Sequence, residues 1–222
     1  MPLVSHLLRI ALPDVPGSLG TVAAAIGVAG GNILAVEVLE QHAGQAVDDV
    51  FVEFLPGVMP DMVVSAVHRL AGVRVVWVSR YPAAGSLQLD LEAVEEITED
   101  PATALATLAR LVPRAFRADW AMVVVRREDA LVKVEGSTGA PAVPPEALAW
   151  VPMSRADRLP TGADWDGWAS TVAAGAPVGS PETLVVFGRH GGPDVLASEV
   201  ARLGHLAALT ASIRPRQTAG GD

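Results

Sequence analysis

The 222-residue chain contains no cysteine. That absence excludes disulfides, thiolate catalysis and cysteine-ligated zinc. Basic charge is scarce as well. Lys133 is the only lysine, no run of more than two basic residues appears, and the formal net charge is −9. A nucleic-acid-binding surface normally needs a basic patch, so no nucleic-acid partner is expected. No apolar stretch is long enough to span a bilayer, so no membrane partner is expected either. The opening residues, MPLVSHLLRI, lack the basic start and long apolar run of a signal peptide, and a cytoplasmic location is expected. Recurrent catalytic patterns are missing too. None of His6, His42, His68, His190 and His205 stands at metal-ligand spacing with another histidine or an acidic partner. No Gly-x-Ser-x-Gly elbow supplies a hydrolase nucleophile. No metal, no cofactor and no enzymatic activity are expected.

What is present is core-forming material. Half of the residues are hydrophobic, and the length allows one large domain or two small ones. The most informative stretch is Leu7 to Ile33. An apolar strand, Leu7 to Leu12, enters the turn Pro13-Asp14-Val15-Pro16-Gly17. Pro16-Gly17 fits a type II turn, in which proline supplies a fixed φ and glycine a positive one. A helix follows with Leu19, Val22, Ala23 and Ile26 on one face, and Gly30-Gly31 stops it. Its first N–H groups have no partner inside the helix, which suits a carboxylate or another anion. The Gly27 to Gly31 run ends a helix, so it is misplaced for a dinucleotide loop.

Strand patterns continue over Ile33 to Glu40 and Val47 to Leu55. A helix is expected from Pro60, with Val63, Val67 and Leu70 inward, and a strand over Val73 to Arg80. The order β-α-β-β-α-β is that of a ferredoxin-like split βαβ sandwich. Its helix-free face is expected to carry Arg9, Glu37 and Glu53 toward solvent. The acidic pairs Asp48-Asp49 and Glu95-Glu96 read as solvated surface.

Residues 3 to 81 resemble an ACT domain. The resemblance rests on the Asp-x-Pro-Gly-x-Leu turn (Asp14 to Leu19), the Gly-Gly-Asn-Ile start of the second strand, and the element lengths. It implies a regulatory module that binds an amino acid at the interface of a homodimer formed side by side. Asp14, Val15, Gly17, Ser18 and Leu19 would form one wall, and Asn32 and Ile33 of the other subunit the facing wall. An amide such as Asn32 both donates and accepts, which suits an amino acid's polar end. Asp14 could balance the ammonium. A structural reading of the same residues stays open: Asp14 and Ser18 as turn and helix caps, and Asn32 as a residue tolerant of αL backbone.

Tyr81 to Ser86 reads as a linker. Beyond it, helices are expected over Leu87 to Glu99 and from Asp100-Pro101, with Asp100 as N-cap and Pro101 at N1. A hairpin is expected around Arg127-Glu128-Asp129, a short helix at Trp165 to Ala173, a strand over Thr183 to Phe187, and a long helix from Pro193 to about Ile213. This plan resembles a GAF domain in architecture. A pocket, if built, is expected between the sheet and Trp165–Trp168, near Met153, Arg155 and Arg158. The competing reading has both tryptophans closing the core. Gly188 to Pro193 follows a strand, and Arg189 and His190 could meet an anion there.

The expected fold class is therefore α+β, with a ferredoxin-like βαββαβ sandwich at 1–81, a linker at 82–86, a small GAF-like antiparallel sheet domain with flanking helices at 87–213, and a disordered tail at 214–222. The expected function is a non-enzymatic sensor that binds an amino acid or similar zwitterion at a homodimer interface and passes its output to a separate effector protein. Two rivals remain: a constitutive dimerisation module without ligand, and an enzyme working through His190 or Asp119.

Overall fold

The computed structural model of the chain describes residues 5–81 and 86–213, leaving aside the side chains of 81–90. Residues 82–85 of the expected linker, and the tail expected at 214–222, lie outside the described residues. The fold is mixed α and β with two antiparallel sheets. The chain divides into two compact units, Met1–Gly85 and Ser86–Asp222.

The first unit runs β1 (Ser5–Pro13), α1 (Ser18–Val28), β2 (Gly31–His42), β3 (Gln45–Phe54), α2 (Pro60–His68) and β4 (Arg74–Tyr81). The sheet order is β2-β3-β1-β4, with every neighbouring pair antiparallel. Alternate residues of the strands face the helices: Leu8, Ile10 and Leu12 from β1, and Val50, Val52 and Phe54 from β3. Val22 and Ile26 of α1 and Val63 and Val67 of α2 close that core. Pro60 opens α2 and Gly72 takes a positive φ after it. Gly31 begins β2 because a Cβ there would strike Ile26 and Val52.

The opposite face departs from expectation. Arg9 is buried, not solvated, and its guanidinium donates twice to Asp49, Nε to Oδ1 at 2.8 Å and a terminal nitrogen to Oδ2 at 3.0 Å. Leu7, Phe51 and Trp77 form an apolar cluster on that face, with Trp77 stacked under Arg9. A bidentate partner 40 residues away converts an isolated charge into a tolerable buried one. Glu37 and Glu53 are half-buried.

The second unit runs α3 (Ser86–Glu99), α4 (Ala104–Phe116), β5 (Trp120–Arg127), β6 (Ala130–Gly136), a 3-10 turn (Pro145–Trp150), β7 (Asp157–Leu159), β8 (Thr171–Pro177), β9 (Thr183–His190) and α5 (Ala197–Ile213). Its sheet order is β6-β5-β9-β8-β7. One face packs under the helices through Val123, Ala174, Ala176, Val185 and Phe187, against Leu108, Val112, Leu203 and Ala207. The other face carries a tryptophan-rich core.

Three local expectations change here. Asp100 is not a helix N-cap. It closes a preceding turn by accepting from the Ala102 amide and the Thr103 hydroxyl, and Thr103 stands at the N-cap position of α4 without a side-chain capping bond. The segment Trp165–Ala173 is a turn followed by β8, not a helix. The strand sequence TVAAGAP hides its nature because small residues are required there. Gly175 lies against Leu159, and Ala174 and Ala176 lie in the core with α5. Finally, α5 starts at Ala197, beyond Pro193, with Glu199 accepting from the Leu196 amide in a capping-box arrangement.

Candidate functional site

The turn from β1 to α1 is built by its own residues. Gly17 sits at φ 91° and ψ −13°, the conformation of the third residue of a type II turn, and the Ser18 amide donates to Val15 O at 3.2 Å. Gly17 is also the N-cap of α1, and no side chain caps that terminus. Neither Asp14 nor Ser18 therefore serves as its helix cap. The Asp14 amide donates to Gly44 O at 2.9 Å, and its Oδ1 accepts from Gln41 Nε2 at 3.3 Å. Both bonds fasten the turn to the hairpin between β2 and β3. Val15 and Leu19 stand out into solvent, 59% and 37% exposed, and Asp14 and Gly17 are exposed beside them.

Asn32 and Ile33 lie elsewhere. Asn32 pairs with Glu53, which pairs with Ser5 at the far end of the sheet, whereas Pro13 pairs with Gln45 beside His42. Nine positions of β2 separate Asn32 from Gln41, roughly 30 Å at the usual strand rise. Asn32 is exposed and Ile33 packs partly against the helix-side core. Within one copy of the chain, the structure gathers Asp14, Val15, Gly17, Ser18 and Leu19 and leaves Asn32 and Ile33 apart.

The acidic pair expected as solvated surface is not solvated. Asp48 and Asp49 are both buried, on opposite faces of β3. Consecutive strand residues point oppositely, so a solvated acidic pair inside VDDVFVEF was improbable from the alternation alone. Asp49 has Arg9. Asp48, only 3% exposed, has an Oδ1 with no hydrogen-bond partner. It lies on the helix side of the sheet between Ala46 and Val50 and is flanked in the sheet by Ile10 and Val38. Burial, followed by the charges of Asp14 and Asp49, raises its pKa above the ordinary carboxylate value. The folded state thus holds this proton more tightly than the unfolded chain. The resulting stability is fully present below the unfolded pKa, about 3.9, and is lost as pH rises through the raised folded value. Urea melts of the wild type and of Asp48→Asn across that range should diverge toward neutral pH, with the variant gaining relative stability.

The second unit spends its polar groups internally. Arg189 of β9 donates to Glu199 Oε1 at 2.6 Å and Oε2 at 3.1 Å, and to the carbonyls of Phe116, Arg117 and Pro193. It is not free to meet an anion, so the Gly188–Pro193 segment is no phosphate cradle. His190 and Asp119 do meet, the His190 amide donating to Asp119 Oδ2 at 2.7 Å, and His190 Nδ1 shares a hydrogen bond with Thr171 Oγ1. Asp119 borders an open groove of about 490 Å³ with Arg110, Glu135 and Ser137, and His190 is not part of its wall.

The pocket expected beside Trp165–Trp168 is filled. Trp168 is fully buried against Trp120, Trp150 and Trp165, with ring centroids 4.8 to 5.8 Å away. Its Nε1 donates to Ala142 O at 2.9 Å. Arg155 is exposed beside Asp157, and Arg158 donates to Val195 O. The tryptophans close the core, as the competing reading had it.

No family model matches the chain, and no curated protein matches it. Among solved structures, the chain is similar to the GAF domain of an Acinetobacter phosphoenolpyruvate-protein phosphotransferase, at 14% identity over 58% of this chain and 91% of that one, TM-score 0.44. It is similar to the free methionine-R-sulfoxide reductase of Neisseria meningitidis solved with its substrate, at 15% identity over 60% and 92%, TM-score 0.46. It is also similar to the A. aeolicus nlh2 GAF domain in an inactive state, at 9% identity over 58% and 97%, TM-score 0.42. No helix among the described residues is long and apolar enough to cross a membrane.

Proposed function

We propose that the chain is a non-enzymatic small-molecule sensor, with an ACT-like, ferredoxin-like first unit and a GAF-like second unit. The first unit would bind an amino acid or similar zwitterion at a homodimer interface, and the signal would pass to a separate effector protein in the cytoplasm. The observation that carries this reading is the uncapped N-terminus of α1 at Gly17. An exposed helix start without a side-chain cap offers free N–H groups to a carboxylate, and exposed Val15 and Leu19 offer apolar contact beside it.

The strand β2 supports the dimer. It is an edge strand of twelve residues, and Val38 on it is 55% exposed. A long edge with exposed apolar side chains is a template for pairing, and two-fold pairing closes the assembly. In an antiparallel pair of β2 strands centred near Glu37, paired residue numbers sum to about 74, since a two-fold axis maps the strand onto its reverse. Asn32 of one subunit then lies across from the partner's His42, next to the Gln41–Asp14 bond. The missing wall arrives from the second copy.

A ligand that binds only the native state adds about 2.7 kcal/mol at a hundredfold excess over Kd. In a chain of this size each kcal/mol raises the melting temperature by about 2–4 °C. A screen of the standard amino acids should therefore give a specific shift of several degrees, and Asn32→Ala should remove it. Light scattering should report a dimer at micromolar concentration. A dimer whose melt no amino acid moves would favour the constitutive-assembly reading, which the exposed β2 edge equally supports. A monomer would remove the interface site.

A further inference from the structure

The groove of about 490 Å³ in the second unit is as large as many small-molecule sites. It lies on the helix side of the sheet, where Ala121 and Val123 point, and not on the side of the tryptophan core. One wall is α4, through Ala106, Arg110 and Pro113. The other is the end of β6 and the turn after it, through Glu135, Ser137 and Thr138. Asp119 closes one end, where α4 returns into β5 and the Ala118 amide donates to Pro113 O at 2.9 Å. Glu135 marks the other end. It pairs with Val123, three positions along β5 from Trp120, so the two carboxylates are separated by roughly 10 Å of strand. Ala106 and Pro113 are seven residues apart in α4, about 10 Å of helix, and give the opposite wall the same length.

This elongated groove is short of positive charge. Neither Asp119 nor Glu135 makes an ion pair among the described residues. Asp119 gives one carboxylate oxygen to the His190 amide and leaves the other open. Arg110 is the one cation among the lining residues, and Glu96, outside the groove, already holds it. A cleft lined by uncompensated carboxylates concentrates cations. We infer that the groove binds a linear aliphatic diamine or polyamine, laid along α4 with one ammonium at Asp119 and another at Glu135. Each ammonium brings three donors, for a carboxylate and for the Ser137 and Thr138 hydroxyls that line the wall between the two ends. The methylene chain rests on Ala106 and Pro113. A single metal ion does not fit, because its ligands stand about 2.0–2.6 Å away and carboxylates at opposite ends of the groove cannot share it. No group of three ligating side chains occurs among the described residues either. The site belongs to the second unit and is independent of the amino-acid reading of the first.

The test is calorimetric titration on the full chain in phosphate buffer, which contains no amine. The probes are putrescine, cadaverine and spermidine. Pentylamine is the one-ended match for cadaverine, and magnesium chloride supplies an inorganic dication. At least one of the three amines should bind the wild type at least tenfold more tightly than pentylamine or magnesium does. Glu135→Gln and Asp119→Asn keep the shape and remove one charge each. Each should weaken that amine at least tenfold and bring it to the level of pentylamine. The Glu135 side chain makes no hydrogen bond among the described residues, so Glu135→Gln does not endanger folding, and its thermal melt without ligand should match the wild type. Pentylamine or magnesium binding as tightly as the diamines, undiminished affinity in Glu135→Gln, or no response of the wild type to any of the three amines would overturn the assignment. Each of those results leaves the amino-acid reading of the first unit standing.

Discussion

Glu199→Ala should destabilise the second unit by about 3–5 kcal/mol, the usual consequence of removing one member of a buried ion pair. Arg189 is almost fully buried, and its guanidinium reaches Glu199 and three backbone carbonyls. Without Glu199 the cation stays in the core with no opposite charge. The α5 terminus also loses the carboxylate that accepts from the Leu196 amide, and loss of a cap typically costs about 1 kcal/mol. The two costs share one side chain and do not simply add. Replacing both partners by apolar residues, as in Arg189→Met with Glu199→Leu, should cost much less than either single truncation, because no charge is then stranded. Urea unfolding followed by tryptophan fluorescence reads this directly, since four of the five tryptophans, at 120, 150, 165 and 168, lie in the second unit. Equal losses in the single and double variants would mean that the pair stabilises through packing and not charge.

Trp168→Ala should be comparably damaging, at about 3–5 kcal/mol, the range for truncating a large buried aromatic. Trp168 is the centre of the four-ring cluster, touching Trp120 and Trp165 edge-on and Trp150 at a tilted angle. Its removal leaves a cavity under β5, β8 and β9 that the thin sheet cannot collapse to fill. The Ala142 carbonyl loses its donor at the same time. Trp168→Phe should lose less, because the ring contacts survive in part and only the indole N–H and some volume are gone. Near-UV circular dichroism should report the loss of ordered ring contacts in both variants. A Trp168→Ala protein of unchanged stability would mean that the cluster is loosely packed.

The first unit shows how far local pattern carries. The order β-α-β-β-α-β, the Pro16-Gly17 turn, the Gly30-Gly31 stop and the Pro60 start were all legible in the residues, and each is present. All of them depend on backbone geometry within a few residues, or on apolar periodicity that a single element displays by itself. The strand β8 was not legible. Its alanines and glycine carry little intrinsic strand preference, and they are there for Leu159 and α5, elements that only the folded sheet brings alongside.

Charge is where the amino-acid order was least informative. Arg9, Asp48, Asp49, Arg189 and Glu199 all look like surface residues in one dimension, and all are buried. Strand alternation separates Asp48 from Asp49 onto opposite faces, yet alternation alone does not supply Arg9 to one and leave the other unpartnered. Those fates depend on partners distant in the chain: 40 residues for Asp49 and Arg9, and more than 70 for Arg189 and the carbonyls of Phe116 and Arg117. The residues alone were enough for the elements of the first unit, the turn that exposes the start of α1, and the absence of thiol chemistry, because these are matters of local geometry and composition. The tertiary structure settled which charges meet, that the tryptophans fill their core, and that Asn32 stands roughly 30 Å from the turn along its strand. Those follow from long-range packing, in which a side chain's environment is set by whatever the fold places against it.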